Sequence, residues 1–198
     1  MTSTHTGPSG NDQQQWLKLY YFIRAGFSGV WVALAFTAGQ HSLALAAILL
    51  ILYPAWDAAA NFADAARSGG LAKNRTQALN VAVSVATTLA VVAALQLGMN
   101  WVLGVFGAWA ILAGLLQLGT AIHRWKSLGA QWPMVLSGAQ SALAGAFFIS
   151  QAQMPAPPSL ARVAGYAAVG AVYFLISAVW LSISDLRRKN VRPSSGTR

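Results

Sequence analysis

Asp57, Asn61 and Asp64 stand inside an otherwise apolar run, Tyr53-Pro-Ala-Trp-Asp-Ala-Ala-Ala-Asn-Phe-Ala-Asp-Ala-Ala-Arg67. At 100° per residue the three side chains share a stripe about 60° wide on one face of a helix, while Phe62 and the alanines point elsewhere. A charged side chain in hydrocarbon costs roughly 3 kcal/mol or more, so the stripe is expected to face a helix bundle or a wet cavity. Two chemistries fit it: a polar cluster that fixes helix packing, or the lining of a path for a proton or another transported species. A cation for the carboxylates is available in Arg24. On an adjacent antiparallel helix it lies at about the depth of Asn61, and its long side chain can extend inward to Asp57 or outward to Asp64. The expected intramembrane cluster is therefore Arg24, Asp57, Asn61 and Asp64.

Ser28, Asn80, Gln117 and Gln140 are secondary polar positions, suited to hydrogen bonds between helices. Cysteine is absent, which removes disulfides, thiolate metal sites and cysteine nucleophiles together. His5, His41 and His123 are scattered without metal-ligand spacing, so neither a metal nor a cofactor is expected. Gly26-Phe-Ser28-Gly29 has the look of an intramembrane serine protease motif, but no histidine stands in mid-span to activate the serine. Ala25 and Gly29, Ala110 and Gly114, and Gly138 and Ala142 are instead small residues four apart, which let helices approach. They point to close packing and self-association through spans 1, 4 and 5. With no assembly of nucleophile, base and orienting group, the chain is not expected to be an enzyme.

The elements that must position these residues are long apolar helices. The 198 residues are 56% hydrophobic and only 9% charged, far below the ~25% charged of soluble domains. Six apolar stretches, 16–38, 43–66, 78–97, 101–122, 133–152 and 160–184, each approach the ~20 residues that span a bilayer. They lack the alternation of barrel strands. The fold class expected is an all-α integral membrane protein of six transmembrane helices, with a disordered polar tail at 1–15, the membrane domain at 16–186 and a basic tail at 187–198. The short connectors 39–42 and 98–100 and the Pro-rich link after Met154 suggest three helical hairpins, about 16–66, 78–122 and 133–184.

Every Lys and Arg except Arg162 falls on one side of this layout: Lys18, Arg24, Arg67, Lys73, Arg75, Arg124, Lys126, Arg187, Arg188, Lys189, Arg192 and Arg198. That side, with both termini, is assigned to the cytoplasm. The net charge of +9 then reads as a topology signal whose partners are the lipid bilayer and its anionic headgroups, not nucleic acid. Trp16, Trp56, Trp101, Trp125, Trp132 and Tyr20 mostly stand near span ends as interface anchors.

Aligning the even helices without gaps superposes Tyr53, Trp109 and Tyr173, then Asp57, Ala113 and Ser177, then Asn61, Gln117 and Leu181, ending at Arg67, His123 and Arg187. The odd helices align through Gly26, Ser84 and Gly138. The pattern implies three parallel repeats about an axis along the bilayer normal. Its motifs, Tyr53-Pro-Ala-Trp-Asp57-Ala58, Trp109-Ala-Ile-Leu-Ala-Gly114-Leu-Leu-Gln117 and Tyr173-Phe-Leu-Ile-Ser-Ala178, resemble the HdeD-like family of bacterial short-repeat membrane proteins over residues 20–190. The chain departs from that pattern in having Ala58 where glycine is usual and in carrying Asn61 and Asp64. The resemblance implies a multi-pass protein of the bacterial cytoplasmic membrane, associated with acid or envelope stress and built on a domain of unknown function. Two functions follow as expectations: a non-enzymatic structural or stress-response membrane protein, or a small transporter or proton-responsive protein using the Asp57/Asn61/Asp64 face.

Overall fold

A computed structural model describes residues 10–67, 69–124 and 132–191. Residues 1–9 of the expected tail, Trp125 and Lys126 of the 123–132 loop, and Arg192 and Arg198 lie outside the described residues. The fold is all-helical, with no strand among the described residues. Its helices are α1 (Gly10–Phe36), α2 (Leu43–Arg67), α3 (Arg75–Ala94), α4 (Met99–Arg124), α5 (Trp132–Ala152) and α6 (Leu160–Val191), with one 3₁₀ turn at Ala38–Gln40. Among the described residues, α1, α2, α3, α4 and α6 contain stretches long and apolar enough to cross a membrane. In an apolar medium every backbone N–H and C=O must be paired within the protein, and a helix does this within its own segment.

Two helices overrun their apolar stretches. α1 takes in Gly10–Gln15 of the segment expected to be disordered, and α6 takes in Arg187–Val191 of the basic tail. Neither segment contains proline, and a helix already nucleated on a long apolar run propagates at one hydrogen bond per residue added.

The chain divides into two compact units. The first holds the α1 residues up to Val30 and the α6 residues from Ala168. Here Lys18 Nζ meets Asp185 Oδ2 at 3.4 Å, and Tyr21 stacks on Phe174 with ring centroids 6.3 Å apart.

The second unit runs from Trp31 to Ala167. Its most extensive packing joins α4 to α5, followed by α2 to α3 and then α3 to α4. Loop length suggests α3 and α4 as a hairpin pair, yet α3 packs more extensively on α2, across the longer connector. The turn between α3 and α4 is made possible by Gly98, at φ +110°, a conformation open to glycine at no steric cost. At the other end of α3, Asn74 caps the helix by accepting the Gln77 backbone N–H at 3.3 Å.

Glycine explains why α4 and α5 pack so closely. A Cβ added at Gly107 would lie 2.8 Å from the Gly145 carbonyl oxygen, and one at Gly114 would lie 2.5 Å from that of Gly138. Each pair is one heptad from the next, so two backbones meet along a single antiparallel seam. Polar bonds fix its register: Ser141 Oγ donates to the Ala110 carbonyl at 3.0 Å, and Asn100 Nδ2 donates to the carbonyls of Ala152 (2.9 Å) and Met154 (2.8 Å). The small residues of spans 4 and 5 are thus engaged with each other, whereas a Cβ at Gly26 or Gly29 would meet nothing within 4 Å.

Candidate functional site

The polar stripe of α2 lies along the seam with α3. Asp57 Oδ2 accepts two hydrogen bonds, from Asn61 Nδ2 at 2.9 Å one turn along its own helix and from Ser84 Oγ at 2.7 Å across the seam. Asn61 Nδ2 also donates to the Asp57 backbone carbonyl at 2.8 Å, which holds the amide against the helix. Behind Ser84, Trp109 Nε1 donates to the same serine oxygen at 3.2 Å. The directions are mutually consistent: the indole gives its proton to Ser84, and Ser84 gives its own to the carboxylate. Side chains from α4, α3 and α2 are thereby tied in one row.

Nearer the α2–α3 connector the row continues with Asp64, which accepts from Gln77 Nε2. Asn80 Nδ2 donates to Gln77 Oε1 at 3.4 Å. Asn61, Asp64 and Ser84 are buried, and Asp57 is half-buried.

An aromatic column closes the inner end. Trp31 and Tyr53 are tilted with centroids 4.7 Å apart, Tyr53 meets Trp109 edge-on at 5.8 Å, and Phe106 meets Trp109 edge-on at 5.8 Å. Trp31, 1% exposed, donates its indole N–H to the Leu49 carbonyl at 2.7 Å. Leu49 lies just over one turn before Pro54, a residue whose ring crowds the preceding turn and whose missing N–H leaves the Leu50 carbonyl without its usual helical donor. The helix runs through this proline, and the tryptophan fixes it from the side.

Arg24 belongs to the first unit. Its Nη1 donates to Tyr20 Oη at 2.8 Å, and its guanidinium sits 4.3 Å from the Phe174 ring centroid and 5.5 Å from that of Tyr20. An aromatic face is a favourable seat for a guanidinium away from bulk water. The pairing expected with Asp57 would join one unit to the other, whereas Tyr20 and Phe174 both belong to the same unit as Arg24. Ser28 is buried in that unit. Gln117 is half-buried beside the α4/α5 seam, its Cβ 3.1 Å from where a Gly138 Cβ would stand, and Gln140 is exposed on α5.

The structure thus brings together Asp57 and Asn61, and places Asp64 and Asn80 around Gln77. Gln77, Trp31 and Asp185 are not singled out by the sequence pattern, and Ser84 and Trp109 enter it only as repeat positions. A tryptophan in mid-span is the one signal that could have marked Trp31 and Trp109, since a buried indole N–H needs an acceptor. No group of three or more His, Cys, Asp or Glu able to hold a metal occurs among the described residues. No family model, no curated protein and no solved structure matches the chain.

Proposed function

We propose that this is a non-enzymatic multi-pass protein of the bacterial cytoplasmic membrane, with six spans, three parallel repeats and both termini in the cytoplasm. Its physiological role is the envelope or acid-stress association that the HdeD-like resemblance implies. The observation that carries the non-enzymatic reading is the Trp109–Ser84–Asp57 row, in which the polar groups bind one another across three helices and act as an internal tie. Five sufficiently long apolar helices support the spans, and the placement of Arg162 apart from the other cations supports the orientation.

The repeat reading draws support from register. Carrying the Asp57–Ser84 contact of α2/α3 onto the aligned positions gives Ala113 and Gly138, one residue from the Gly114–Gly138 contact of α4/α5. The alignment of Gly26 with Ser84 draws none: Gly26 is open while nearby Ser28 is buried.

The half-buried state of Asp57 favours a second reading, that of a small transporter or proton-responsive protein using the α2 face. One strain separates the two. Deleting the gene in its host should lower survival of an acid challenge, and both wild type and Asp57→Asn, which keeps the amide–hydroxyl tie, should restore it. Failure of Asp57→Asn alone, at normal protein level, supports the second reading, and survival unchanged by the deletion removes the stress association. Alkaline phosphatase fused at Arg198 should be inactive and fused at Met154 active, and the reverse pattern would overturn the orientation.

A further inference from the structure

We infer that the outward stripe of α5, formed by Leu136, Gln140, Leu143 and Phe147, is the surface through which two copies of this chain pair in the membrane, with the two Gln140 amides bonded to each other near its centre. The inference rests on the reading of α5 as one of the six spans.

Two faces of α5 are already engaged. Gly138 and Gly145 meet the α4 backbone. About 60° around the helix, Ser141 Oγ lies 2.6 Å from Tyr166 Oη of α6, and Phe148 meets the Tyr166 ring edge-on with centroids 5.6 Å apart. Leu136, Gln140, Leu143 and Phe147 fall on the side opposite the glycines, and all four are exposed, Leu143 at 73%. Their successive spacings of four, three and four are those of a seam between two helices, with the amide at one core position, where a polar residue fixes register. At 1.5 Å per residue Gln140 stands about 12 Å from Trp132 and about 18 Å from Ala152, close to the middle of a bilayer core. A carboxamide has two donors and two acceptor lone pairs, and acyl chains satisfy none of them. A second copy does. Two copies inserted in the same orientation pair about a twofold axis along the bilayer normal, so each residue of the stripe meets its own counterpart at its own depth. Such an axis admits only side chains that complement themselves. Leucine and phenylalanine pack on their like, the glutamine amide both donates and accepts, and α5 carries no ionisable residue that would repel its copy.

The test uses the full-length chain in lipid vesicles, labelled with donor and acceptor dyes and diluted with lipid while energy transfer reports association. Gln140→Leu should raise the dissociation constant about 5–30-fold, the ratio that corresponds to the ~1–2 kcal/mol of an interhelical hydrogen bond in a bilayer. Gln140→Asn, which keeps the amide, should stay close to the wild type. The absence of cysteine adds an independent readout. Oxidation of Leu143→Cys should link two copies by a disulfide, whereas Leu89→Cys, equally turned outward on α3 at 67% exposure, should remain monomeric. A wild type that stays monomeric at every dilution would show that the stripe meets lipid, and the inference fails while the spans stand. Association indifferent to Gln140→Leu, or cross-linking equal at Leu143→Cys and Leu89→Cys, would show that copies meet elsewhere, which also overturns it. If a membrane-impermeant thiol reagent modifies Gln140→Cys, α5 does not cross the bilayer, and the inference fails together with the six-span reading.

Discussion

The Ser84 hydroxyl bridges Trp109 and Asp57: it accepts the indole N–H at 3.2 Å and donates to the carboxylate at 2.7 Å, so a single small side chain on α3 satisfies one polar group from each neighbouring helix. Removing it and removing its donor are therefore unequal events. Ser84→Ala leaves the Trp109 N–H unpartnered by Ser84 and takes one donor from Asp57, and it should destabilise by about 1–3 kcal/mol. Trp109→Phe removes the N–H together with one ring of the indole; the lost bond leaves only a lone pair unused on Ser84 and by itself should cost no more than about 1 kcal/mol, with any further loss coming from the void left in the aromatic column. Unfolding in mixed micelles titrated with denaturing detergent, followed by circular dichroism, gives both values. A larger loss for Trp109→Phe would mean that the ring packing, not the bond, dominates.

Glycines should sort by what faces them. Gly→Ala gains about 1 kcal/mol of helix propensity at an open site. At Gly114 or Gly145 the new Cβ would lie 2.5 Å from a carbonyl oxygen of the opposite helix, so backbone must shift. Each substitution should lose about 1–3 kcal/mol despite the propensity gain. Gly26→Ala, with nothing within 4 Å, should be neutral or slightly stabilising. The same unfolding titration tests the set, and equal losses at Gly26 and Gly114 would contradict the glycine seam.

How far the sequence could be read follows from these same residues. Asp57, Asn61 and Asp64 were legible as one face because helical periodicity is a local property of α2. Their partners were not, since finding Ser84 and Gln77 requires the register of α3 against α2, which no local pattern encodes. Ala110, Gly114, Gly138 and Ala142 were recognisable as packing residues by their spacing of four. Gly107 and Gly145 lie one heptad further along those faces and could have been found by extending the pattern. Polar tails conceal helix ends, so the extension of α1 to Gly10 and of α6 to Val191 was out of reach. The Lys18–Asp185 contact was equally hidden, because its residues are 167 apart in the chain.

Trp31 should behave as a brace on the proline turn of α2. Trp31→Phe loses the bond to the Leu49 carbonyl and one ring of a fully buried indole that packs on Tyr53, at a cost of about 1–3 kcal/mol. Pro54→Ala restores a backbone N–H for the Leu50 carbonyl, next in the chain to the Leu49 carbonyl that Trp31 holds, so the two substitutions act on adjacent carbonyls of one turn and should couple, not simply add. Thermal unfolding of the two single variants and the double variant measures this. Simple additivity would show that Trp31 and Pro54 act independently.

The tie that Asp57 and Ser84 form between α2 and α3 is tested most directly by a double-mutant cycle. Asp57→Ala, Ser84→Ala and the double variant are compared by detergent-titration unfolding at one pH. If the two side chains meet across the seam, the double variant should lose less than the sum of the single losses, with a coupling of about 0.5–2 kcal/mol. Losses that add to within about 0.3 kcal/mol would contradict the tie.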